Sequence, residues 1–285
     1  MNPIFSRTFK ALCTVAVVAL LSACGASSTV SPFVPTRVIG LGDGYNDETA
    51  TVRESGSTTG SVVGQVAAYF GQPNILIKAS GGQKVVDLAA QIASVGSFSD
   101  GDLVVITIGT FDVKEGSVAT SAAQTLVTQV QNIKAAGGKH ILIMPVLEVS
   151  RTPWGRANNF DATATNTFNS AVLSALSAAF GGQSPNTVIY ANASGVTSLF
   201  LTATSTTPYS PFTDTGYDGT AAGTVPACGN PLPLLGNTTI PVGCDATAIS
   251  TPYTTMLFAD GINLTPVGNR WVAQFLYNAT AQGWR

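Results

Sequence analysis

Short apolar runs recur along the chain, separated by longer amphipathic stretches. Five runs are nearly continuous: Arg37–Leu41, Asn74–Lys78, Leu103–Ile108, His140–Pro145 and Thr187–Tyr190. Val, Ile and Leu follow one another in most of them without polar alternation, which predicts parallel strands covered on both faces. Between them, about Ser61–Phe70, Val85–Ala93, Val118–Ala136 and Thr163–Phe180 are predicted helices. A last helix, about Pro266–Ala281, opens with Thr265-Pro266, a cap followed by a first-turn proline. No internal repeat is visible. The order βαβαβαβαβα predicts an α/β fold, a three-layer α/β/α sandwich around a parallel sheet.

Two segments break this rhythm. At the N-terminus, Arg7 and Lys10 precede the apolar run Ala11 to Leu21, too short to span a membrane as a permanent helix. The run closes in Leu21-Ser22-Ala23-Cys24, which matches a bacterial lipobox. Residues 1–23 are therefore expected to be a lipoprotein signal, with Cys24 lipidated and becoming the mature N-terminus. The alternative is an ordinary secretory signal with Cys24 incidental. Several acyl chains on Cys24 give the multiple anchors that stable attachment needs. Gly25 follows the cysteine where an aspartate would signal inner-membrane retention, so the expected location is the cell envelope, at the outer membrane. Residues 24–35 read as a tether, and 36–285 as one domain.

The second break is 201–256, with seven prolines, many Thr and Gly, and few apolar runs. A loop this long in a compact domain is functional or tied down. Cys228 and Cys244 lie within it, and export to an oxidising compartment makes a disulfide the expected state. The ring would contribute about 3 kcal/mol by limiting the unfolded chain.

Composition narrows the partners. From Cys24 onward the chain has 11 basic and 15 acidic residues, a net charge of about −4. With no basic cluster, a nucleic-acid partner is not expected. No metal or cofactor is implied, because no His-rich or Cys-rich cluster occurs.

In open α/β sheets, sites form beyond the carboxyl ends of the strands. Those ends read Gly42-Asp43-Gly44-Tyr45-Asn46-Asp47, Ala79-Ser80-Gly81-Gly82, Gly109-Thr110-Phe111-Asp112 and Pro145-Val146-Leu147. Phe168-Asn169 follows on a predicted helix, and Leu257-Phe258-Ala259-Asp260-Gly261-Ile262-Asn263-Leu264 precedes the last one. Together these blocks resemble the SGNH/GDSL hydrolase family of lipases and esterases, from Val38 to about Tyr277. The cysteine-bearing loop is similar to the lecithinase and autotransporter-esterase branch. The resemblance implies a flavodoxin-like, five-stranded parallel sheet.

It also implies a mechanism. In the family a first-block serine attacks an ester carbonyl, and a last-block histidine takes its proton. An aspartate three residues earlier orients the imidazole. The oxyanion is held by backbone N–H groups, including a second-block glycine, and by a third-block asparagine. On this chain the nucleophile position falls on Gly44 and the oxyanion glycine on Gly82, which is kept. The oxyanion asparagine falls on Phe111, the aspartate on Asp260, which is kept, and the base on Asn263. Glycine has no side chain, phenylalanine no donor, and a carboxamide takes no proton near neutral pH. His140 is the chain's sole histidine and begins a strand, at the sheet edge opposite the site.

Other candidates carry blander readings. Ser80 is a turn serine without a base. Asp43, Asp47 and Asp112 offer oxygen ligands for a cation, but are expected to cap a helix or lie solvated. Glu148, Trp154, Tyr209 and Tyr217 are possible cleft residues in loops. Three functions follow: a silent hydrolase whose remodelled cleft binds a lipid, acyl chain or glycan in the room left by Gly44; an active ester hydrolase with a non-standard site; or a protein-binding surface scaffold using 201–256.

Overall fold

The structure, a computed structural model, describes residues 33–48, 60–182, 186–191 and 257–284. The expectations for Cys24, Cys228, Cys244, Tyr209, Tyr217 and the 201–256 loop lie outside them.

Five strands, β1 (Arg37–Gly42), β2 (Ile75–Ile77), β3 (Asp102–Thr107), β4 (His140–Met144) and β5 (Val188–Tyr190), form one parallel sheet in the order β2-β1-β3-β4-β5. That is the flavodoxin-like order. The central strands are buried along their length, and Leu103, Val104, Val105 and Ile106 are wholly inaccessible. Each such aliphatic side chain contributes roughly 1.5–3 kcal/mol, which explains why these runs lack polar alternation. At the amino edge, Arg37 donates to both carboxylate oxygens of Asp102, at 2.9 and 2.6 Å, fixing the register of β1 against β3.

The major helices are α1 (Val62–Tyr69), α2 (Leu88–Val95), α4 (Ala119–Ala135), α6 (Ala164–Phe180) and α7 (Pro266–Gly283). Helix α1 packs on α7, while α4 packs on both α2 and α6. With the right-handed crossovers that parallel strands almost always take, this strand order puts the two groups on opposite faces of the sheet. Ser61, Thr152 and Thr265 each cap a helix by accepting the N–H three residues on. Two five-residue helices, α3 (Thr110–Lys114) and α5 (Pro153–Ala157), stand where no helix was expected. They are too short to show a periodic pattern.

No helix among the described residues is long and apolar enough to cross a membrane.

Candidate functional site

Strand β1 ends against β3, with Gly42 opposite Thr107. Gly42 has φ +115°, and a Cβ there would lie 1.8 Å from the Thr107 carbonyl oxygen, so only glycine fits. Its own N–H and C=O are both engaged by the side chain of Gln91, at 2.7 and 2.9 Å. The chain then turns through Asp43–Asp47. Asn46, wholly buried, anchors this turn by donating to Leu41 O and Val105 O and accepting the Val63 N–H. Gly44 is thereby presented at the carboxyl end of the sheet.

Facing it is the 257–264 turn, closed by the Phe258–Leu264 bridge. Asp260 is buried; its Oδ1 accepts the N–H groups of Ile262 and Asn263, at 2.8 and 2.7 Å. Its Oδ2 accepts the Asn263 side-chain N–H at 2.7 Å. Burial raises the Asp260 pKa, and these three bonds pull against it. The Asn263 carboxamide therefore turns its oxygen outward, and that oxygen meets Gly44. A Cβ built on Gly44 would lie 2.8 Å from Asn263 Oδ1. The expected vacancy at Gly44 is thus filled. With no side chain on Gly44, the amide closes over the backbone.

This arrangement keeps one property of a neutral imidazole held by a carboxylate. A donor points at Asp260 and an acceptor points at residue 44. What is missing is basicity, since a carboxamide oxygen cannot hold a proton in water near neutral pH.

Phe111 lies on α3 and is buried, with its ring 5.6 Å from Lys114 Nζ. The same ammonium is 5.4 Å from the Trp154 ring. The Trp154 N–H donates to Gly261 O, which ties α5 to the Asp260 turn. Phe111 therefore lies under a lysine flanked by two aromatic faces. Gly82 has φ +80° in the turn after β2. Its neighbour Gly81 donates its N–H to Asp47 Oδ2 at 2.8 Å, which joins this turn to the one carrying Gly44.

The acidic residues at the strand ends are not solvated as expected. Asp43, Asp47 and Asp112 are all buried. Asp43 accepts the Tyr45 N–H within its own turn. Asp47 takes the Gly81 N–H and Asp112 the Val85 N–H at 2.9 Å. Each carboxylate satisfies the backbone of a turn, and burial raises the Asp112 pKa. Among the described residues no three His, Cys, Asp or Glu side chains converge as a metal site. Glu148 is also buried, and it accepts the Ser150 hydroxyl. Ser80 is exposed.

His140 stands at the amino edge, paired with Leu103 near the start of β3. Its Nδ1 is 3.1 Å from Asp100 O, its ring packs edge-on against Trp284, and burial lowers its pKa. Gly44 is at the opposite edge.

Gln91 was not singled out from the sequence, and Asn169 entered only as part of the Phe168-Asn169 block. Asn169 clamps β4 to α6 by bonding both the N–H and C=O of Val146, and it accepts the Tyr190 hydroxyl. A polar residue on the buried face of a helix is the signal that marks each.

Residues 41–198 match the model of the GDSL-like lipase/acylhydrolase family; the match ends before the Asp260–Asn263 turn. Solved structures similar to the chain include a lipase/acylhydrolase from Enterococcus faecalis, 12% identical, with a TM-score of 0.48 over 85% of this chain and 93% of that one. Another is a lipolytic G-D-S-L family protein from Veillonella parvula, 15% identical, TM-score 0.47, covering 85% and 96%. An acetylxylan esterase from Geobacillus stearothermophilus is 15% identical, TM-score 0.47, covering 88% and 98%. No curated protein matches the chain.

Proposed function

The chain belongs to the GDSL-like lipase/acylhydrolase family, and from that premise we propose that it is a non-hydrolysing member, exported and lipid-anchored through Cys24, whose cleft binds a ligand without cleaving it. The observation that carries this reading is the contact between Gly44 and Asn263 Oδ1, with Asn263 held by Asp260. Position 44 is where the family's serine would stand, and position 263 is where its histidine would stand. The two face each other as that pair must, yet one has no nucleophile and the other no base. Phe111, at the position of the oxyanion asparagine, offers no side-chain donor. Of the five positions, Gly82 and Asp260 keep the family's residue. In a serine protease the loss of the triad costs roughly a million-fold in kcat.

The half-buried ring of Trp154 beside Lys114 suits an amphipathic ligand such as a lipid, an acyl chain or a glycan. The lipobox ending in Cys24 supports anchoring at the outer membrane.

The test has two parts. The purified wild type should hydrolyse short p-nitrophenyl esters no faster than a heat-killed sample, with or without chelator. A panel of fatty acids, phospholipids and oligosaccharides should then include a ligand that raises Tm and gives a calorimetric signal. Chelator-sensitive turnover would replace this reading with an active hydrolase. No response across the panel would remove the binding role.

A further inference from the structure

The corner where the family places its oxyanion asparagine is apolar here at Phe111, yet a cation stands three residues on. Residues 111 and 114 are about one turn apart on α3, which puts their side chains on one face of it. Lys114 Nζ lies 5.6 Å from the Phe111 ring centroid and 5.4 Å from that of Trp154. Phe111 is buried beneath the ammonium, whereas Lys114, Trp154 and Phe160 are half-buried. Trp154 continues into Phe160, with ring centroids 5.4 Å apart and planes tilted by 53°. The Trp154 N–H bonds Gly261 O at 2.9 Å, which fixes this aromatic shelf against the turn carrying Asp260 and Asn263.

We propose that Lys114 is the anion-recognising residue of the cleft and that the ligand is an anionic amphiphile. Its carboxylate or phosphate head meets the Lys114 ammonium, and its apolar part lies along Trp154 and Phe160. This rests on the binding role proposed above and narrows it to the charge of the ligand.

Ring faces hold an ammonium in place by their quadrupoles, but they supply no lone pairs to its three N–H donors. An oxygen of an anionic head does, in a charge-assisted hydrogen bond roughly twice as strong as a neutral one. A hydrolase meets its oxyanion only in passing, with neutral N–H donors. A full positive charge beside the same corner instead favours a ligand that is already anionic in its ground state. The acids of the two adjoining blocks are engaged with backbone: Asp112 with the Val85 N–H, and Asp260 with those of Ile262 and Asn263. Glu115 bonds Lys84 at 2.8 Å, and its pKa is lowered chiefly by that bond, with Lys114 the smallest contributor.

The test measures binding of decanoate, monodecyl phosphate, methyl decanoate and decanol to the purified full chain, by calorimetry and by tryptophan fluorescence. At least one of the two anions should bind the wild type at least tenfold more tightly than either neutral compound. Preference for decanoate would assign a carboxylate head and preference for the phosphate a phosphate head, and either supports the proposal. Lys114→Met keeps an unbranched chain against the rings but removes the charge. It should abolish the preference while leaving methyl decanoate binding unchanged within about twofold, and Lys114→Arg should keep the preference. Raising salt from about 0.05 to 0.5 M should shrink the preference severalfold in the wild type; this reading and Lys114→Arg suffice if Lys114→Met does not fold. Equal binding of anionic and neutral compounds, or a preference that survives in Lys114→Met, would overturn the proposal and leave the binding role standing. No binding of any of the four would overturn the proposal, while the wider ligand panel decides the binding role.

Discussion

Gly44→Ser tests whether residues 44 and 263 are one coupled replacement. The added Cβ lies 2.8 Å from Asn263 Oδ1, several tenths of an ångström inside normal contact. The amide cannot simply swing away, because its nitrogen is held by Asp260 Oδ2 at 2.7 Å. Overpacking of this kind costs about 1–3 kcal/mol. Replacing a glycine outside the left-handed region returns about 0.4–1 kcal/mol by restricting the unfolded chain. The net expectation is a loss of about 1–2 kcal/mol, or a fall in Tm of about 2–8 °C for a domain of this size. In an Asn263→Ala background the obstacle is gone, and Gly44→Ser should be neutral or slightly stabilising. A double-mutant cycle by urea unfolding should therefore give a coupling of about 1–2 kcal/mol. If Gly44→Ser costs the same in both backgrounds, within about 0.3 kcal/mol, the two residues do not meet as described.

Three further outcomes follow from the geometry. Gln91→Leu leaves the buried N–H of Gly42 unpaired, while its C=O keeps the Ser80 N–H, and should cost about 1–3 kcal/mol in denaturant unfolding. Raising the Asp43 pKa from 3.8 to about 7 makes its contribution fully present below pH 4 and lost as pH rises through 7. At 1.36 kcal/mol per unit this is about 4 kcal/mol, and unfolding of Asp43→Asn should lack that slope. His140→Ala should lose its packing on Trp284 and its contact with Asp100 O, and should leave ligand binding and the ester background unchanged.

Much of this architecture was readable from residue order. The strands lie within about two residues of the Val, Ile and Leu runs that predicted them, because a parallel strand buried on both faces leaves no room for polar residues. Thr265-Pro266 marked α7 for the same reason that it caps it. Thr152-Pro153 carries the same signal for α5 and was passed over, since five residues give no period to confirm it. Gly44 and Asn263 were singled out in the sequence separately, but their proximity was not legible there. Nothing local in the chain says that the absence of a side chain at residue 44 leaves room for a distant carboxamide. The burial of Asp43, Asp47 and Asp112 was missed for a related reason. An aspartate in a polar turn looks the same in sequence whether it faces water or satisfies the N–H groups of a neighbouring turn.

The most direct measurement is fluorophosphonate labelling of the wild type beside the triple variant Gly44→Ser, Phe111→Asn, Asn263→His. A serine and an imidazole placed on this frame, with Asp260 behind them, should react with the probe, while the wild type stays unlabelled. Labelling of the wild type would mean that an activated nucleophile exists elsewhere in the chain. Failure of the folded triple variant to label would mean that positions 44, 111 and 263 are not the ones the chemistry needs.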